Sequence, residues 1–257
     1  MTESISPTPF RRFDLKQAFA FLLHPRQGFE RIARLEKPSW LTPMLVLSIT
    51  LLLRVIVTGI LRARAAAMGE VVLPPDWQWW TTDMQNNYMQ AQQATQGPAF
   101  LYVIPSITGL AGLWMGWGII SGIFHLGSTL LGGRGKMSSA LNVFAWASLP
   151  FAVRDILRII FMLVERGSIA SPGLSGFVTG TEGGALFFAS LLKHVDLFLV
   201  WHAILLVLGF SRVDSLPKGK AVAVVLIVLA LILAARGGLG MLSSSLGGMM
   251  INRPFFF

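Results

Sequence analysis

The sequence predicts an all-α integral membrane bundle of five transmembrane helices, preceded by amphipathic helices, with the amino end inside and the carboxyl end outside. Three observations predict it. The 257 residues are 54% hydrophobic and 13% charged, with a mean hydropathy of +0.65, where soluble chains carry ~45–50% apolar and ~25% charged residues. The apolar residues gather in several runs close to the ~20 residues that cross a bilayer. Basic residues, finally, are shared unequally among the connecting segments. This composition excludes a disordered tail, a disulfide-stapled mini-protein and a conventional soluble enzyme. The chain has no cysteine, so disulfides, thiol chemistry and cysteine-based zinc sites are excluded as well. A net charge of +9 on such a chain implies anionic headgroups as partner rather than nucleic acid.

Residues 1–39 form a basic amphipathic lead-in, and no cleavable signal peptide is expected there. Phe13 to Leu23 reads as a short helix stopped near His24-Pro25, because proline cannot donate in a helix interior. A second helix, Arg26 to Lys37, sets Phe29, Ile32 and Leu35 beside Arg31, Arg34 and Lys37. Such a stripe suits a helix lying on the bilayer surface; packing on the protein's own cytosolic loops fits the pattern equally well.

The membrane domain is expected over 40–236. Its first span runs from Trp40 to Leu61, interrupted only by Arg54. A polar outer loop, 62–98, follows with Pro74-Pro75, the interfacial aromatics Trp77, Trp79 and Trp80, and a polar helical stretch from Thr82 to Thr95. The second span, Ala99 to Leu131, carries Gly109, Gly112, Gly116 and Gly127 on one face and Gly118 and Gly122 on the other. Small-xxx-small spacing lets helix backbones approach closely, so this helix is expected in the middle of the bundle. Gly132-Gly133-Arg134-Gly135-Lys136 reads as a tight turn into the third span, Ala140 to Val164, which contains Pro150, Arg154, Asp155 and Arg158. After a Gly/Ser-rich loop, Gly167 to Gly184, the fourth span (Ala185 to Phe210) carries Lys193, His194, Asp196 and His202. The fifth, Ala221 to Ala235, lies between Lys220 and Arg236. Its core is roughly 22 Å long at 1.5 Å per residue, and its basic flanks snorkel to make up the difference. The tail, 237–257, is external or interfacial.

Five spans place the termini on opposite sides. With the amino end inside, twelve basic residues fall on the inner side (Arg11, Arg12, Lys16, Arg26, Arg31, Arg34, Lys37, Arg134, Lys136, Arg212, Lys218, Lys220) and five on the outer (Arg62, Arg64, Arg166, Arg236, Arg253). The positive-inside rule favours that orientation. Arg54 then lies roughly 20 Å above the inner end of its span. Arg154, Asp155 and Arg158 reach a similar height, and Lys193, His194 and Asp196 enter the same outer-half layer. An unpaired charge in lipid costs at least ~2.5–3.5 kcal/mol, so Asp155 and Asp196 are expected to face inward and pair with Arg54, Arg154, Arg158 or Lys193. The layer fits either a polar relay with Asp155, Asp196 and His194 as carriers, or an ion-pair network that fixes helix register. The second is favoured, because no span shows the discontinuous-helix pair of secondary transporters.

No His-Glu-x-x-His, nucleophile elbow or P-loop is present. No catalytic residue, metal site or cofactor is therefore expected, and His125 and His202 read as core histidines.

Several short motifs together resemble a known family. They are His24-Pro25 with Phe29-Glu30-x-Ile32, Trp40 and Pro43 entering span one, Gly132-Gly133-x-Gly135, and Ser148-Leu149-Pro150. Asp196 and Trp201 in span four and Gly209-Phe210 before a lysine-containing turn complete the set. Across most of residues 17–235 the chain resembles the prokaryotic branch of the Ypt-interacting-protein (Yip) domain family. The resemblance implies a five-span bundle in the cell membrane with a cytosolic amino-terminal region and no catalytic residues. Eukaryotic relatives bind prenylated Rab-type GTPases. Prokaryotic relatives imply an accessory subunit of an ABC-type export system, with other membrane subunits as partners. The tryptophan-rich outer loop and the Phe255-Phe256-Phe257 end depart from a minimal member.

Overall fold

Every described element is helical or a turn, which is how a chain satisfies its backbone hydrogen bonds without water. The computed structural model describes residues 14–34, 39–69, 73–74, 76–167, 169, 171–179 and 184–252, with side chains as far as Leu242. The first thirteen residues, Leu35, Lys37, Pro75, Arg253 and the Phe255–Phe257 end lie outside them.

The lead-in forms two short helices, α1 (Leu15–Leu23) and α2 (Pro25–Ala33). Asp14 caps α1, accepting from the Lys16 N–H at 2.9 Å, and Pro25 opens α2, where its missing N–H is no loss. The two helices use their apolar faces differently. Phe29 and Ile32 of α2 are buried in the bundle, whereas Leu15, Phe19 and Leu23 of α1, spaced four apart, point outward and are each more than half exposed. Of the two sequence readings, packing on the protein's own body therefore holds for α2, and an outward apolar stripe for α1.

α3 (Leu41–Ala67) is followed by α4 (Thr82–Ala94), capped by Thr81. A π-helical turn at Ala99–Val103 leads into α5 (Ile104–Leu130). Pro105 cannot donate to the Leu101 carbonyl, and the widened turn precedes that gap. The third predicted span is divided at Ser148 into α6 (Met137–Ala147) and α7 (Leu149–Glu165). The fourth is broken too: α8 (Gly184–Leu192) and α9 (Leu197–Val213) meet at a 65° bend. This overturns the expectation of a continuous fourth helix. α10 (Lys218–Asn252) continues far beyond the predicted fifth span. Gly237 and Gly240 seat it on α8, since a Cβ at either position would meet Phe187 or Ser190.

Three helices, Leu41–Ala67, Ala99–Leu130 and Lys218–Leu242, are long and apolar enough to cross a membrane, and the bent α8–α9 pair makes four if counted as one span. α5 is not central: the most apolar stretch of Ala99–Leu130 buries no residue inside the molecule. Added side chains at Gly112, Gly116 and Gly118 would meet nothing within 4 Å. Gly109 touches Leu51 and Gly122 approaches Met137, so only part of the glycine pattern serves close packing.

The densest core lies at the end of the bundle that carries α1 and α2. Phe21 packs on Phe29 (ring centroids 4.9 Å apart) and Trp146 (5.1 Å), and Phe124 stacks on Phe210 (5.5 Å). Gly209 of α9 makes this possible, because a Cβ there would overlap Val143 and lie within 3 Å of the Phe29 ring. Gly209→Val is expected to lower thermal stability by ~1–3 kcal/mol through overpacking and to expose α2 to proteolysis. Gly118→Ala, in open space, is expected to leave the unfolding temperature unchanged.

Candidate functional site

The charged residues singled out in the sequence meet because of helical spacing. Arg154 and Arg158 stand one turn apart on α7 and share a face, while Asp155 is rotated toward α3. Asp155 lies 3.3 Å from Arg54 Nε and 4.0 Å from Arg154 Nε. Asp196 Oδ2 accepts from Arg154 Nη1 and Arg158 Nη2, each at 3.4 Å. Its other oxygen, Oδ1, accepts the Leu199 N–H at 2.9 Å and caps α9. One carboxylate thus starts a helix and joins it to α7. α3, α7 and α9 are tied at a single level.

The break before Asp196 is supported by the loop that covers it. Leu174 N–H lies 3.0 Å from the Leu192 carbonyl and 3.1 Å from that of Val195, supplying a donor where the helix ladder is interrupted. Gly173, at φ +66°, allows this approach; a side chain there would meet the carbonyls of Leu192, Lys193 and Val195. His194 sits in the break with Nδ1 donating to Ser190 O (3.0 Å). Lys193 is exposed and makes no ion pair among the described residues.

Beside this layer lies a cavity of about 240 Å³ bounded by all the long helices. Leu47, Leu113, Trp117, Phe151 and Leu233 form apolar walls, and Gly112 and Gly116 leave room where side chains would intrude. Arg54, Arg154, Asp155, His194 and Arg236 supply its polar side. His202 also borders it and donates through Nδ1 to Ala147 O (2.8 Å). That carbonyl lies at the α6–α7 break, where Phe151 N–H bonds to Ser148 O instead (2.9 Å). A second hollow of about 350 Å³ shares Leu51 and Arg54 with the first and reaches Arg62.

Other expected residues stand apart. Trp77 and Trp80 pack together (5.6 Å) and both contact Tyr88, while Trp79 projects outward, 80% exposed. Among the described residues no three metal-ligating side chains converge.

The sequence reading missed a second polar node, at the α1–α2 end. Asp214 is buried between the α5–α6 and α9–α10 turns. Its Oδ2 accepts from Ser128 Oγ (2.8 Å), its backbone carbonyl accepts from Arg134 N–H (3.1 Å), and Gly135 leaves room for the carboxylate. Lys220 Nζ reaches the Leu131 carbonyl nearby (2.9 Å). Burial raises the Asp214 pKa above its usual value, opposed by the Ser128 hydrogen bond and by His125. An acid with a raised folded pKa favours folding when protonated. Its contribution is full below the unfolded pKa of about 3.8 and is lost as pH rises through the folded value. Asp214→Asn, which keeps an acceptor for Ser128, is therefore expected to hold or raise the unfolding temperature at pH 7 and to flatten the acid limb of its pH profile. Asp214→Ala, leaving Ser128 without its acceptor, is expected to lower stability by ~1–3 kcal/mol.

A family model described as the Yip1 domain matches residues 19–237. No curated protein and no solved structure matches the chain.

Proposed function

The chain belongs to the Yip1 domain family, and from its paired intramembrane charges we infer that it is a non-catalytic multi-pass membrane protein that scaffolds or modulates a larger membrane complex. An accessory role in an ABC-type export system of the prokaryotic cytoplasmic membrane is the specific form proposed. The observation that carries this reading is the state of the two intramembrane aspartates. Each is held by guanidinium groups, and Asp196 also caps a helix. Carboxylates so engaged orient helices; they are poorly placed to carry a proton or cation through the layer.

In this reading the divided third span and the bent fourth each count as one crossing, which makes five, with the amino end inside as the basic residues favour. α2 is then a cytosolic clamp on α9, reinforced by the Arg212–Glu30 contact at 3.0 Å. The outward stripe of α1 rests on anionic lipid, and the remaining surface is left for other subunits.

A second reading, a small transporter or channel, is favoured by the broken α8–α9 helix and the adjoining cavity, both features of transport proteins. Asp196→Asn separates the two. As a structural partner, it is expected to lose ~3 kcal/mol of stability, seen as lower yield and unfolding temperature, with ion and proton leak of reconstituted vesicles unchanged. Loss of a measurable flux with stability intact would instead establish transport. Mild detergent extraction is expected to co-purify an ATPase subunit in stoichiometric amount; a lone homo-oligomer would count against the scaffold.

A further inference from the structure

The charged layer is not neutral. Arg54, Arg154, Arg158 and Arg236 face only Asp155 and Asp196, which leaves two guanidinium charges in excess at this level among the described residues. Arg236 makes no ion pair among the described residues and lines the same cavity as Arg54 and Arg154. Arg54 Nε and Arg154 Nε are shielded from solvent and share one carboxylate oxygen, Asp155 Oδ1, at 3.3 and 4.0 Å, without a well-formed hydrogen bond to it. Guanidinium groups at membrane depth require counter-charge, and these two carboxylates do not supply enough for four arginines; a further anion would.

The space beside these groups is amphipathic. The cavity is cationic at Arg54, Arg154 and Arg236 and apolar below them, with Gly112 and Gly116 leaving the α5 wall open. Arg54 also borders the hollow that reaches Arg62, so positive charge continues toward the 62–98 loop. A free anion would satisfy the charge and leave the apolar walls empty. A phosphate-headed lipid satisfies both, and basic pockets between membrane helices bind such headgroups.

We propose that this cavity is a binding site for one anionic phospholipid, its phosphate held by Arg236, Arg54 and Arg154 and an acyl chain lying along the Gly112–Gly116 face of α5. The site is separate from the basic lead-in, where anionic lipid would meet only a surface. It stands whether or not the chain serves as a scaffold, because it rests on the excess charge and the cavity alone.

The test is native mass spectrometry of the full chain released from mixed phosphatidylcholine–phosphatidylglycerol nanodiscs. The wild type is expected to retain one phosphatidylglycerol in preference to phosphatidylcholine by about tenfold or more, the effect of one favourable charge contact. Arg236→Gln, which breaks none of the ion pairs above, is expected to remove that preference. Gly116→Phe fills the cavity without touching the charges and is expected to do the same, which keeps the test decisive if the arginine variant fails to fold. Replacing Arg26, Arg31 and Arg34 together with glutamine is expected to leave the preference intact. Four results would overturn the proposal: equal retention of both lipids by the wild type, a preference surviving both cavity variants, its loss in the lead-in variant alone, or displacement of the lipid by millimolar inorganic phosphate, which would make the ligand a soluble anion.

Discussion

An ion in hydrocarbon must find a counter-ion or leave, and under the proposed membrane topology much of this molecule is arranged around that constraint. Asp155 and Asp196 lie on different helices and are met by arginines from α3 and α7. In the proposed topology, exposing any one of these charges to lipid would cost at least ~2.5–3.5 kcal/mol, which is enough to select one helix register over its neighbours. Helical geometry makes the pairing possible: residues 154 and 158 share a face and reach the same carboxylate, while residue 155 points elsewhere. The break in the fourth span fits the same scheme. It frees a helix N-terminus for Asp196 to cap, so one residue answers two demands that hydrocarbon would leave unmet.

The two ends of the bundle are built differently. At the α1–α2 end an aromatic core and the Asp214–Ser128 node fix the turns to one another. At the charged level the helices stand apart around a cavity whose positive charge exceeds its negative. Membership of the Yip1 domain family agrees with a membrane protein.

Much of this was legible in the sequence, for identifiable reasons. The runs that became α3, α5 and α10 were visible because lipid demands long uncharged stretches. The charged residues that meet were visible because isolated charges at that depth are too costly to keep. The breaks were less visible. Pro150 was apparent, but its consequence, a chain that restarts at Leu149 and lends a carbonyl to His202, depends on a distant helix. Asp196 before an apolar run carries the signature of a helix cap, but a carboxylate among arginines reads equally as an ion-pair partner, and it serves as both. Glycine spacing misled in one place and hid information in another. Gly112 and Gly116 border a void rather than a neighbour, whereas Gly209, Gly237 and Gly240, outside that pattern, make closer approaches than Gly109 or Gly127 within it. Nothing in one sequence distinguishes these cases, because the partner residue is remote. The Asp214–Ser128 bond joins positions 86 residues apart and was unreadable for the same reason.

Reversal of the Arg54–Asp155 pair in lipid tests most directly whether mutual neutralisation holds these helices in place. Arg54→Asp and Asp155→Arg would each be measured by unfolding in bilayer nanodiscs, alone and together. Each reversal alone is expected to destabilise the protein, and the double variant to recover most of the loss, with a coupling of at least ~1 kcal/mol. Losses that simply add, with no recovery in the double variant, would contradict it.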